Sequence, residues 1–140
     1  MKLKEEKGLT GIDIAIMVIA VIIFSTLIFS LIYNNTMENM KLKKEALAMI
    51  YMTEIFENIA IEPYNSSAYN GLKETYVEIK TPNVFVPKKI IDNYKVEMAV
   101  TTDLDGVTDN QILKKIKLKL TYKVGEKTYT CSMQRMKIKE

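Results

Sequence analysis

The sequence predicts an α+β protein in which one long N-terminal helix precedes a small antiparallel sheet of about three to four strands. Between Ile12 and Glu62 there is neither glycine nor proline, which favours an uninterrupted helix. Beyond Pro63, apolar residues recur at every second position, which is the period of a half-buried strand. With 140 residues, the chain has room for one small domain besides the helix.

The first half of the helix is predicted to span a membrane. From Ile14 to Tyr33 there are 20 residues without a charge or a proline. At about 1.5 Å per residue, a helix of that length covers ~30 Å, the thickness of the hydrocarbon core of a bilayer. A secretory signal peptide has a shorter apolar region that ends in small residues, and Asn34-Asn35-Thr36 does not fit that pattern. We therefore expect the apolar helix to remain in the mature protein.

A short motif precedes this segment and reads Lys7-Gly8-Leu9-Thr10-Gly11-Ile12-Asp13. It resembles the leader of type IV pilins and type II secretion pseudopilins. The resemblance implies a leader at residues 1–8, cleavage by a prepilin peptidase between Gly8 and Leu9, and N-methylation of Leu9. Because that peptidase acts from the cytoplasmic side, it also implies a single-pass protein of the cell membrane with a cytoplasmic N-terminus. The lysines on both sides of the span do not by themselves decide this topology.

Asp13 is the candidate assembly carboxylate, since the family most often has a glutamate at this position. The resemblance implies that Asp13 pairs with the free amine of Leu9 in a neighbouring subunit, because unpaired charges in an apolar bundle are costly. Pairing within one chain is the alternative, because residues i and i+4 share a helix face. A third reading is a carboxylate that stays hydrated among lipid headgroups. The chain also departs from the family at Leu9, where phenylalanine is usual, and at Gly11, where an apolar residue is commoner.

Residues 9–33 form the predicted membrane part of the helix, and residues 34–61 form a protruding part with two apolar stripes. The first stripe is predicted to face a core and comprises Leu42, Ala46, Met49, Ile50, Thr53, Phe56 and Ala60. The second comprises Ala48, Met52, Ile55 and Ile59. Two apolar faces indicate two partners, the chain's own domain and a neighbouring subunit. The alternative is that one domain covers both faces.

Residues 62–140 are predicted to form the extracytoplasmic β domain with its loops. Alternation predicts strands at Thr75–Lys80 and Tyr94–Val100. The segment between them, from Thr81 to Pro87, is bracketed by prolines and is predicted to be a loop or an edge strand. A long N-terminal helix packed on such a sheet is also the fold that the pilin resemblance implies.

A hairpin is predicted at the C-terminal end, with a two-residue turn at Gly125-Glu126. This turn sets Tyr122 opposite Tyr129, Leu120 opposite Cys131 and Leu118 opposite Met133, so that apolar residues meet along the ladder. After Met133 the apolar parity shifts to Met136 and Ile138, which predicts a bulge near Gln134-Arg135 that keeps Arg135 out of the core.

Charge and side-chain chemistry do not favour nucleic acid, metal ions or a cofactor as ligands. Residues 34–140 carry 17 basic and 14 acidic side chains, a small excess for a nucleic-acid binder. A lysine-rich set is interpreted as a solvated face, with a specific anionic ligand as the alternative: Lys114, Lys115, Lys117, Lys119 and Lys123. The acidic loop from Asp103 to Asn110 resembles calcium loops, but Lys114 stands where a bidentate glutamate is needed, so we do not expect calcium.

Cys131 is the sole cysteine and the chain has no histidine, which excludes an internal disulfide and a conventional zinc site. Cys131 falls on the apolar face of its strand, where a buried small hydrophobe is expected rather than a nucleophile. No carboxylate pair or phosphate-binding glycine loop is placed for catalysis. The sequence therefore predicts a protein that is not an enzyme.

The resulting hypothesis is a minor pilin or pseudopilin, a structural subunit of a type IV pilus or of a type II secretion-like filament. Its expected partners are the prepilin peptidase, the membrane and other pilin or pseudopilin subunits. The alternatives are a competence pseudopilin for DNA uptake and a signal-anchored single-pass protein with an extracytoplasmic binding domain. The first predicts DNA capture by the lysine face, and the second predicts an N-terminus that stays at Met1.

Overall fold

The computed structural model describes residues 11–102 and 113–139. It contains two α-helices and four strands in this order: α1 Gly11–Ile61, β1 Val77–Ile79, α2 Lys88–Ile91, β2 Lys95–Thr101, β3 Leu113–Val124 and β4 Lys127–Ile138. A short 3₁₀ turn at Ser67–Tyr69 follows α1. The chain divides into two units between Asn39 and Met40. The sheet and the C-terminal part of α1 belong to the second unit.

The four strands form one antiparallel sheet with the order β1-β2-β3-β4. Together with the long apolar helix α1, this sheet confirms the α+β class. β1 and β2 lie within the two segments in which the sequence predicts strands, apart from Thr101 at the end of β2. The segment from Thr81 to Pro87 is a loop, which was one of the two alternatives.

This loop is organised by Asn83, whose Oδ1 accepts hydrogen bonds from the backbone N–H groups of Phe85 at 2.9 Å and Val86 at 2.8 Å. The Asn83 N–H in turn donates to the Val86 carbonyl at 3.1 Å. Such side-chain bonds to nearby backbone are the reason that asparagine favours turns. The turn directs Phe85 and Val86 into the core, and α2 adds Ile90.

The C-terminal hairpin has the predicted register. Tyr122 pairs with Tyr129, and Leu120 pairs with Cys131. Gly125 has φ of 59°, a conformation that glycine adopts without steric cost, as the first position of the two-residue turn requires. The predicted bulge is wrong, because pairing continues without an extra residue through Ile116 with Arg135 to Leu113 with Ile138.

Arg135 therefore lies on the inner face of the sheet, and its side chain explains why no bulge is needed. Its guanidinium lies over the ring of Phe56, 5.3 Å from the centroid. A guanidinium stacks favourably on an aromatic face while its edges remain hydrated, and Arg135 as a whole is exposed. The uniform register then leaves Met136 and Ile138 exposed on the outer face.

The core of the second unit lies between α1 and the inner face of the sheet. α1 contributes the buried residues Ala48, Met52, Ile55, Phe56 and Ile59. The sheet contributes Val96, Met98, Ile116, Leu118, Leu120, Tyr122, Val124 and Cys131. The second predicted stripe of the helix thus faces the domain, joined by Phe56 from the first.

Polar contacts fix α1 against the domain around this core. The hydroxyl of Tyr94 donates to the Lys44 carbonyl at 2.9 Å, and the Tyr94 ring meets Tyr51 edge to face with 5.6 Å between centroids. Asn58 Nδ2 donates to the Phe85 carbonyl at 3.1 Å. The contacted positions on α1, which are Lys44, Tyr51 and Asn58, lie about two helical turns apart on one side of the helix, so they set its rotation about its own axis relative to the sheet.

Candidate membrane segment and packing surfaces

The first part of α1 presents apolar side chains on all of its sides. Every large hydrophobic residue from Ile12 to Tyr33 has more than half of its surface exposed. Such a helix is long and apolar enough to span a membrane. Within this segment, Thr26 Oγ1 donates a hydrogen bond to the Ile22 carbonyl at 2.8 Å. This bond satisfies the hydroxyl without a partner from outside the helix, as an apolar solvent requires.

Asp13 lies in the first described turn of α1 and is exposed. The predicted cleavage and methylation residues, Gly8 and Leu9, lie outside the described residues, as does the loop from Asp103 to Asn110. The structure therefore places Asp13 at the start of the apolar helix without describing the residues with which it is expected to act.

The protruding part of α1 carries an exposed apolar stripe that faces away from the sheet. Leu42 and Ile50 are each 60% exposed and Met49 is 43% exposed, while Ala46 and Ala60 are exposed as well. Among the described residues the domain buries only Phe56 of this predicted stripe, so it does not cover both apolar faces of the helix, and cover by a neighbouring subunit stays a prediction. Both stripes are apolar, so their spacing alone does not show which one the domain covers.

The end of α1 is held by Lys137 of the hairpin. The Lys137 ammonium donates to the carbonyls of Ile59 at 2.5 Å and Ala60 at 3.1 Å, and also to that of Glu62. These carbonyls belong to the last turn of the helix and its exit, where intrahelical donors run out. α1 has no basic residue of its own in its last turn. Lys137 thus supplies the cation that stabilises the negative end of the helix dipole.

Lys114 lies beside this contact, and the prediction that it shares the solvated face with the other lysines of β3 is wrong. Its ammonium donates to the Tyr64 carbonyl and lies 4.1 Å from the ring centroid of Tyr64 and 4.3 Å from that of Tyr69. It therefore contacts the segment that follows α1. Burial, and secondarily the nearby Lys137 charge, lowers the pKa of Lys114.

The other four lysines of β3 do line the outer face of the sheet, as the sequence predicts. Lys119 lies 3.7 Å from the Glu97 carboxylate of β2. Glu97 stands directly opposite Glu78 of β1, and Lys95 reaches both carboxylates, at 3.3 Å and 4.0 Å. Like charges placed opposite each other destabilise a sheet, so Lys95 and Lys119 offset this repulsion. The acidic residues of the outer face are thus gathered on β1 and β2, away from β4.

Cys131 is buried, and desolvation raises the pKa of its thiol, against a smaller lowering by a hydrogen bond from Tyr122. A raised thiol pKa is the opposite of what a nucleophilic cysteine requires. Cys131 pairs with Leu120 across the ladder, on the inner face of the sheet. Among the described residues there is no group of three His, Cys, Asp or Glu side chains that could hold a metal ion.

Comparisons of this chain with models of protein families, with curated proteins and with solved structures found no match.

Proposed function

We propose that this chain is a minor pilin or pseudopilin, a structural subunit of a type IV pilus or type II secretion-like filament. The observation that carries the proposal is the junction of the Lys7 to Asp13 motif with an apolar helix that is exposed on all sides from Ile12 to Tyr33. A leader cleaved after Gly8 would leave Leu9 as the N-terminal residue of the mature chain. The subunit would then wait in the membrane and enter a filament through its helix.

The exposed stripe on the protruding part of α1 supports this proposal. A soluble domain gains free energy by covering Leu42, Met49 and Ile50, yet these residues remain exposed while the second stripe is covered. A neighbouring helix is the natural cover, because residues at spacings of three and four form ridges that pack into the grooves of another helix. The role of the stripe in this proposal is mechanical.

Asp13 has a separate part in the proposal. Its carboxylate is to pair with the free amine of Leu9, after cleavage, in a neighbouring subunit, which fixes the axial position of one helix against the next. Aspartate is one methylene shorter than the glutamate that is usual in the family. We therefore propose that Asp13 suits a subunit placed at special positions rather than one repeated throughout the filament.

The experiment that tests this role compares Asp13→Asn with Asp13→Glu in the native host. We expect Asp13→Asn to be cleaved normally but to fall at least tenfold in the filament fraction, since a buried amine left without a carboxylate costs more than ~1.4 kcal/mol. Asp13→Glu keeps the charge and should assemble at least as well as the unaltered chain. Normal incorporation of Asp13→Asn would remove Asp13 from the mechanism.

A further inference from the structure

The two edges of the sheet differ in length and in protection. β1 is three residues long, carries Glu78, and is followed by Pro82. β4 forms the other edge and is twelve residues long. Short edges with charges resist pairing with other chains, whereas a long edge presents a row of backbone donors and acceptors. Among the described residues, the strand order ends at β4.

The middle of β4 lacks the usual means of edge protection. Residues 128–134 read Thr-Tyr-Thr-Cys-Ser-Met-Gln, without a charge, a proline or a glycine. The ladder with β3 also runs through them without a bulge. An uncharged run of seven residues that begins with the strand formers Thr128, Tyr129 and Thr130 has a composition that adds readily to another strand. We call residues Thr128–Gln134 the open edge.

The turn geometry identifies which backbone groups of the open edge point outward. In a two-residue hairpin the pair that closes the turn, here Val124 with Lys127, is hydrogen-bonded, and bonded and non-bonded pairs then alternate. The backbone of Cys131 accordingly faces β3. The outward N–H and C=O groups belong to Thr128, Thr130, Ser132 and Gln134. All four side chains are exposed, so nothing bulky among them hinders an incoming strand.

The charge of the hairpin indicates the chemistry of the incoming strand. β3 carries five lysines and β4 carries Lys127, Arg135 and Lys137, while neither strand has an aspartate or glutamate. Lys127 and Arg135 flank the open edge on the inner face. A carboxylate on an added strand could therefore pair directly with either one. On the outer face, the exposed side chains of β4 are uncharged, so the lysines of β3 could extend across β4 to carboxylates on an added strand.

The same charges disfavour a second copy of β4. Antiparallel pairing of two open edges about Cys131 would set Lys127 of one chain opposite Arg135 of the other, at both ends of the interface. Like charges placed directly opposite destabilise a strand pair.

We propose that the open edge of β4 binds an extended acidic segment of another protein by β-strand addition. Backbone hydrogen bonds to Thr128, Thr130, Ser132 and Gln134 would hold the segment, and its carboxylates would be selected by Lys127 and Arg135. This proposal does not rest on the filament role, because it requires the sheet edge alone.

The test uses the full chain in detergent micelles and two labelled nonapeptides, one of alternating glutamate and valine and one of alternating lysine and valine. The acidic peptide should bind and should slow amide hydrogen exchange at the four outward N–H groups. The basic peptide should do neither. Equal binding of both peptides, or binding without protection of these amides, would overturn the proposal.

Two substitutions at one position provide the matched control. Ser132→Pro removes an outward N–H group but no bond to β3. It should weaken binding of the acidic peptide by roughly tenfold or more, because one hydrogen bond is lost and the proline ring displaces the incoming strand. Ser132→Ala keeps the N–H group and should bind as the unaltered chain does. If circular dichroism shows that Ser132→Pro alters the fold, Lys127→Glu replaces it as the test variant. Lys127→Glu should weaken binding of the acidic peptide while leaving the sheet intact.

Self-association has a distinct signature in the same experiment. Concentration-dependent protection of the outward amides without any peptide would show that β4 pairs with a second copy, which contradicts an acidic partner. Unchanged binding of the acidic peptide to both Ser132→Pro and Lys127→Glu would contradict it as well. Neither result bears on cleavage after Gly8, so failure here is distinguishable from failure of the filament role.

Discussion

Met49 and Met52 lie three residues apart on α1, and the structure predicts opposite consequences of truncating them. Met52 is fully buried against the sheet, whereas Met49 is 43% exposed on the stripe that faces away. Met52→Ala removes buried methylene and sulfur atoms and leaves a cavity, which costs about 2–5 kcal/mol at such sites; we expect about 3 kcal/mol here. Met49→Ala should cost less than about 1 kcal/mol, because alanine fits a helix at least as well as methionine.

The assay is urea unfolding of the full chain in detergent micelles, followed by the near-ultraviolet circular dichroism of the tyrosines. Tyr51 and Tyr94 meet where α1 packs on the domain, so their signal reports this interface. The midpoint should fall for Met52→Ala at an unchanged slope, which marks a change in stability rather than in the exposed surface. An equal loss for both variants, or a greater loss for Met49→Ala, would refute the assignment of the two stripes.

Two further predictions concern the end of the helix and the response to alkaline pH. Lys137→Met should lower the free energy of unfolding by about 1–2 kcal/mol, because the carbonyls of Ile59 and Ala60 lose their cation. The control Lys139→Met should change it by less than ~0.5 kcal/mol. Equal urea midpoints for the two variants would contradict a stabilising role of Lys137 at the end of α1. Burial raises the pKa of Tyr69 and of Tyr122 to about 12, whereas tyrosines of an unfolded chain ionise near pH 10. The stability that these neutral hydroxyls contribute is therefore complete below about pH 10 and is lost as the pH rises toward 12, and urea midpoints between pH 9 and 11 should fall less steeply in Tyr122→Phe.

The hairpin shows what apolar parity can predict. Tyr122, Leu120 and Leu118 alternate on one face, and a two-residue turn leaves a single pairing that matches them with apolar partners. Apolar parity predicts a bulge near Arg135 only if a charged residue is excluded from the inner face, and Arg135 occupies that face. At the end of a strand the guanidinium can rest on Phe56 and remain hydrated, which makes a bulge unnecessary.

The helix shows the limit of periodicity. Spacings of three and four identify two apolar stripes on α1. Which stripe is buried depends on where the strands pack against the helix, and this is not a local property of the sequence. The hydrogen bonds of Lys137 to the end of α1 likewise cannot be predicted from local sequence, since the lysine and the carbonyls lie more than seventy residues apart. The one signal in the sequence is that the last turn of α1 lacks a basic residue of its own.

The candidate site could be predicted only as far as its apolar character. The length and composition of residues 14–33 predict a helix that could span a membrane, and α1 has that length and that exposure. The roles proposed for Gly8, Leu9 and Asp13 involve a peptidase and neighbouring subunits, which the packing of one chain does not encode.

The measurement that tests the central claim most directly is mass spectrometry of the N-terminal peptide from native membranes, with and without the host's prepilin peptidase. We predict a peptide that begins at Leu9, carries an N-methyl group, and is replaced by one that retains residues 1–8 when the peptidase is absent. A chain that begins at Met1 in both samples would contradict the account and leave a single-pass membrane protein with an extracytoplasmic binding domain.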